Sequence, residues 1–161
     1  MGLDMYLDSH HYYGGKYKND NADKEYYQHT LEVSGDFAKE RGIDKNNIAE
    51  IVLNVAYWRK ANAIHGWFVT NVQDGVDDCK RAYCSPKQLK KLVSVCKETL
   101  KALDDKDYSL ALELLPPTEG FFFGDYDVTN DWYRHEIEDT IKQVELALSK
   151  PGDTFYYTSS W

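Results

Sequence analysis

The sequence predicts an α+β fold: an antiparallel sheet, built from N-terminal strands plus a C-terminal strand, covered by three or more helices. Three observations predict it. Strand-like runs stand at both ends of the chain, GLDMYLDSHHYY at 2–13 and DTFYYTSSW at 153–161. Apolar residues at helical spacing fill the region between them. The order of strands, then helices, then a last strand is that of a sheet with its helices segregated to one face.

At the start, Leu3, Met5 and Leu7 share one parity and Asp4, Tyr6 and Asp8 the other, the alternation of a half-buried strand. Gly14-Gly15 makes a turn, and 16–24 is a polar loop. Residues 25–34 (EYYQHTLEVS) resume a strand pattern that pairs with the first run as an antiparallel hairpin. Residues 36–42 form a short helical turn closed by Gly42. The run 48–58, IAEIVLNVAYW, reads two ways: its β-branched content favours a central strand, while a helix beginning at 45–47 fits its length nearly as well.

From Arg59 onward a helix is expected. Ala61, Ile64, His65, Phe68 and Val72 share one face, with Asn62 and Val69 at its edge. Gly66 weakens this helix by about 1 kcal/mol relative to Ala, and its place there suits the close approach of another element. Gln73-Asp74-Gly75 ends it. Ser85-Pro86 opens a second helix, with Ser as N-cap and Pro at the first position, running to about Leu103. Leu89, Leu92, Val93, Cys96, Leu100 and Leu103 form its stripe, and its lysines a solvated face. Residues 108–115 form a short helix stopped by Pro116-Pro117. The run TEGFFFGDYD at 118–127 is a short strand or a loop lining a pocket. Thr129 or Asn130 caps a last helix to about Ser149, with Tyr133, Ile137, Ile141, Val144 and Leu148 facing inward.

With 161 residues the chain is long enough for one domain with a proper core, and a single domain over 1–161 is expected. A net charge of −8 argues against general nucleic-acid binding, which needs a basic face. Three cysteines, an odd number, without a secretory leader or a 20-residue apolar run predict a reduced cytoplasmic protein with no membrane span. No metal site is expected. Cys79 and Cys84 form one loose C-x4-C pair, whereas structural zinc favours two tight pairs. No phosphate loop, nucleophile elbow or complete calcium loop is present, and Asp74 to Asp78 reads as a solvated loop. No cofactor is implied.

One constellation stands out. Trp58, Arg59, Lys60, Asn62, His65 and Trp67 fall within ten residues, and Arg134 and His135 stand beside Trp132 at the start of the last helix. Arginine suits bidentate recognition of phosphate or carboxylate, and indole faces stack on bases. If the two segments converge they hold a small anionic, nucleotide-like ligand. The alternative is that both arginines pair with the abundant Asp and Glu and that His65 is a satisfied core histidine.

The opening GLDMYL, the central YWRKANAIHGWFV followed by QDG, and LLPPTEGFFFG together resemble a family of small proteins from bacteriophages and their bacterial hosts. The resemblance implies a phage- or prophage-type protein of the host cytoplasm. It carries no catalytic residue over, because none is established for that family. Small phage proteins of this size often act against host defence. Three functions are therefore expected, in this order: sequestration of an anionic nucleotide-like molecule, inhibition of a host protein through an acidic surface, and nucleotide processing with His65 or His135 as general base. The tail strand and the exposed aromatics also suit a homo-oligomer.

Overall fold

The computed structural model describes residues 2–12, 39–42, 50–120, 123–125, 127–149 and 154–161. The expected strand at 25–34 lies outside them. Four strands are present among the described residues: β1 (Asp4–Tyr12), β2 (Glu50–Arg59), β3 (Ala82–Cys84) and β4 (Thr154–Ser160). Four helices accompany them: α1 (Asn62–Val72), α2 (Pro86–Asp104), α3 (Tyr108–Leu114) and α4 (Asp131–Leu148). The fold is α+β, with a four-stranded antiparallel sheet in the order β2-β1-β4-β3 packed against the helices.

The chain divides into two units, residues 1–9 with 53–161, and residues 10–52. Strands β1 and β2 contribute residues to both. In the smaller unit the buried His10 holds Glu50 through Nδ1 at 2.7 Å.

The parity at the start of β1 is as the alternation requires: Leu3, Met5 and Leu7 are fully buried. The run at 48–58 resolves as a strand from Glu50. β2 antiparallels β1, with the Asn54 side-chain amide donating to Asp8 Oδ1 at 3.1 Å and the Tyr57 hydroxyl to Asp4 Oδ1. Its outer edge at Tyr57 is occupied by a side chain. Gln143 Oε1 accepts from Tyr57 N–H at 2.9 Å, and Gln143 Nε2 donates to the Tyr57 carbonyl at 3.2 Å. An amide side chain from α4 thus stands in for a neighbouring strand.

The helix expected from Arg59 begins later, because β2 runs through Arg59. Lys60 then takes a φ of 61°, its N–H donating to the Leu3 carbonyl at 2.8 Å, and this turns the chain into α1 at Asn62. The expected single apolar face is also too narrow. Asn62, Ala63 and Trp67 are buried together with Ile64, His65 and Phe68. The reason is a second covering layer. Asn62 Nδ2 donates to the carbonyls of Phe123 (3.1 Å) and Asp125 (2.7 Å), and its Oδ1 accepts from Thr118 N–H (3.3 Å). The loop after α3 is thereby laid across the helix. Gly66 makes the approach possible: a Cβ there would collide with the Thr118 hydroxyl and come within 3.3 Å of its Cβ.

Helix α2 starts as its sequence requires. Ser85 Oγ accepts from Gln88 N–H at 3.2 Å, and Gln88 Oε1 accepts from Ser85 N–H at 2.9 Å, a reciprocal capping box with Pro86 behind it. Gln88 Nε2 also donates to the Asn71 carbonyl, tying the start of α2 to the end of α1. Ser85→Ala is expected to cost about 1 kcal/mol, read as a lower urea midpoint at unchanged slope. Helix α4 is capped by Asn130, whose side chain accepts from Trp132 N–H, and buries Tyr133, Ile137, Thr140, Val144 and Ala147.

Strand β4 is an inner strand with Phe155, Tyr157 and Ser159 buried alternately. Its partner β3 pairs Ala82, Tyr83 and Cys84 with Tyr157, Tyr156 and Phe155. The tail therefore completes the sheet instead of offering an open edge. The terminal Trp161 keeps its indole N–H on Asp77 Oδ1 at 3.1 Å.

Candidate functional site

The site grows from His65. One turn into α1, this side chain is completely buried, and both ring nitrogens are taken. Nε2 lies 2.9 Å from Asp77 Oδ2, and Nδ1 lies 2.8 Å from the Tyr157 hydroxyl. A carboxylate opposite Nε2 places the ring proton there, so Nδ1 accepts from the tyrosine. Burial, followed by the nearby Asp77 charge, drives the Tyr157 pKa well above its ordinary value, which keeps that hydroxyl a donor. Phe123 packs edge-on against His65 at 5.1 Å between ring centres, and Phe68 stacks on Tyr157 at 4.0 Å with planes 6° apart. A chain of hydrogen bonds therefore runs from the inner strand β4 through α1 to Asp77.

Asp77 brings that chain to an opening. It lines a cavity of about 330 Å³ together with Gly66, Trp67, Thr70, Asn71, Leu115, Pro116 and Thr118. Among the described residues of its lining, Asp77 is the one that carries a charge. Trp67 and Leu115 supply apolar wall, and Thr70, Thr118 and Asn71 supply neutral polar groups. Lys91 reaches the rim, its Nζ 2.9 Å from Asn71 Oδ1.

The eight residues singled out from the sequence scatter into different roles. Trp58 is core: its indole N–H donates to Thr140 Oγ1 at 2.9 Å, and its ring tilts against Phe68. Arg59 projects outward with a side chain 63% exposed, its Nε 4.0 Å from Asp4 Oδ1. Lys60 is exposed. Asn62 is used up by the loop it anchors, and His65 by Asp77 and Tyr157. Trp67 lines the cavity. Arg134 forms ion pairs with Asp104 and with Glu138, the latter at 3.2 Å. His135 is exposed, with its ring 5.9 Å from Trp132. Of the eight, Trp67 alone stands in the lining of this cavity.

Asp77, Tyr157, Thr118 and Trp161 are the members that sequence reasoning missed. Asp77 reads as part of a solvated acidic loop, and in the fold that loop turns its carboxylate inward onto a buried histidine. Burial pushes the thiols of Cys84 and Cys96 up to about 12, so neither is a thiolate at neutral pH. Among the described residues, no group of three His, Cys, Asp or Glu side chains is gathered to hold a metal ion, and no helix is long and apolar enough to cross a membrane.

Fold and site together define an α+β protein with a carboxylate-bearing cavity beside α1. Comparison with protein-family models, with curated proteins and with solved structures gives no match.

Proposed function

We propose that this chain is a small-ligand-binding protein that sequesters its ligand in the cavity between α1 and residues 114–118. The observation that carries the reading is the way Asp77 is held. A carboxylate at the wall of an open cavity, fixed by an interior histidine and by an indole, is a preorganised acceptor. At about 330 Å³ the cavity suits a small molecule. Binding is favoured over catalysis by a histidine because His65 has both nitrogens engaged and no exposed surface, so its ring does not reach a ligand. The setting, a phage- or prophage-encoded protein acting against defence in the host cytoplasm, rests on the resemblance described above.

A thermal-shift screen with nucleosides, linear and cyclic nucleotides, amines and small carboxylates tests it. A ligand that raises the melting midpoint of the wild type should lose its effect in Thr70→Trp, where an indole fills the mouth of the cavity. Recovery of that ligand with its mass unchanged supports sequestration, and recovery of a product makes the protein an enzyme.

A second reading places an anionic, nucleotide-like ligand at Arg59 and Lys60. The exposure of Arg59, with its nearest carboxylate at the limit of an ion pair, favours it. There Arg59→Ala should abolish the shift and Thr70→Trp should spare it.

A further inference from the structure

Resting on the cavity reading, we infer that the cavity selects a small planar cation with paired N–H donors, an amidinium or guanidinium carried on an apolar body. The argument begins with the lone pairs of Asp77. Each carboxylate oxygen accepts one protein hydrogen bond, Oδ1 from Trp161 and Oδ2 from His65. A carboxylate has about four acceptor positions, so each oxygen keeps capacity for one more donor. Two parallel N–H groups match two oxygens of one carboxylate, the geometry that makes such pairs stronger and more specific than single contacts.

Charge favours a cation over a neutral donor. Asp77 has a side chain 26% exposed, and among the described residues no basic side chain belongs to the cavity lining. Its histidine partner occupies Oδ2 alone and is hydrogen-bonded onward to the Tyr157 hydroxyl. The chain as a whole carries −8, which raises the local concentration of cations. Trp67 and Leu115 supply apolar surface for the body of the ligand, and an indole wall favours a delocalised cation. The same paired-donor edge occurs, uncharged, on guanine, so a guanine nucleoside is the other source of this chemistry.

Titration calorimetry at low ionic strength and pH 7 tests the inference. Benzamidine is the probe, with benzyl alcohol and benzoate as neutral and anionic partners of similar shape and guanosine as the uncharged edge. Benzamidine is expected to bind at least tenfold more tightly than the other three. Its affinity should fall at least tenfold in Asp77→Asn, which keeps the shape of the side chain, and in Thr70→Trp, which leaves the hydrogen-bonded chain untouched. Guanosine binding without benzamidine binding overturns the cation. Benzyl alcohol or benzoate binding as well as benzamidine, and blocked by Thr70→Trp, overturns the selectivity while the cavity reading stands. Benzamidine affinity kept in Asp77→Asn, or in Thr70→Trp, overturns the assignment to this site. If none of these and no member of the wider screen binds, both the inference and the function it rests on fall.

Discussion

Replacing His65 with leucine should destabilise the protein by about 2–4 kcal/mol, although leucine is of similar size and better suited to an apolar interior. The loss comes from what the imidazole leaves behind. Tyr157 is fully buried with its hydroxyl on Nδ1, and Asp77 Oδ2 takes its hydrogen bond from Nε2. Leucine offers neither an acceptor nor a donor. The buried tyrosine hydroxyl left unpaired costs about 1–3 kcal/mol, and Asp77, 26% exposed and still holding Trp161, adds a smaller loss. For a chain of this size the melting midpoint should drop by roughly 5–15 °C. Urea unfolding at constant slope measures the change. A loss below about 1 kcal/mol would show that the chain from Tyr157 to Asp77 is not coupled to folding. A double-mutant cycle with Tyr157→Phe separates the pair from the packing. If the two groups act through their shared hydrogen bond, the double variant should lose clearly less than the sum of the singles.

The second large effect is a pH dependence centred on Glu136 of α4. Burial pushes its carboxyl up to about 8, with a hydrogen bond from Trp132 acting the other way, and its Oε1 is enclosed without a hydrogen-bond partner. In the unfolded chain the same group titrates near 4.5. Between these values the folded state holds a proton that the unfolded state has released. Stability is therefore full below the unfolded value, falls as pH rises through the window, and is fully reduced above about 8. Glu136→Gln keeps the shape and abolishes the titration. The difference between wild type and variant should widen steadily across that window. Above it the variant should be the more stable by on the order of 1–3 kcal/mol, a figure reduced for the group's partial exposure. Urea midpoints of both proteins at half-unit steps of pH measure this. Parallel profiles would mean that Glu136 is ionised in the fold and that water reaches it.

What was legible in the sequence is what short-range chemistry decides. Ser85 and Pro86 announce the start of α2 because an N-cap acts within the first turn. Leu3, Met5 and Leu7 announce β1 because a strand buries alternate residues. The stop of α1 at Gln73 to Gly75 follows from the left-handed φ of Asp74 and Gly75. By contrast, the run at 48–58 has no local answer. Its β-branched residues fit either state, and pairing with β1, more than 40 residues away, makes it a strand.

The candidate site lies almost wholly on the far side of that divide. His65 was visible as a polar group within an apolar pattern, but its partners stand 12 and 92 residues away in Asp77 and Tyr157. No spacing rule connects those positions. Trp58 and Asn62 drew notice for side chains suited to ligands, and the fold spends them on Thr140 and on the carbonyls of Phe123 and Asp125. A side chain's donors and acceptors are set by its type, whereas the choice between a ligand and the protein's own backbone is made by whatever the chain packs against it.

By itself, then, the sequence determined the α+β class, the caps of α2 and α4 and the apolar stripe of α2, because each depends on neighbours within a turn or a pleat. The tertiary structure alone decided that the second side of α1 is covered through Gly66 and that an acidic loop turns inward onto His65. It also decided that the cavity carries a carboxylate instead of the arginines. These outcomes depend on which distant groups are brought within 3 Å of one another, and hydrogen bonding and charge act at that distance whatever the separation along the chain.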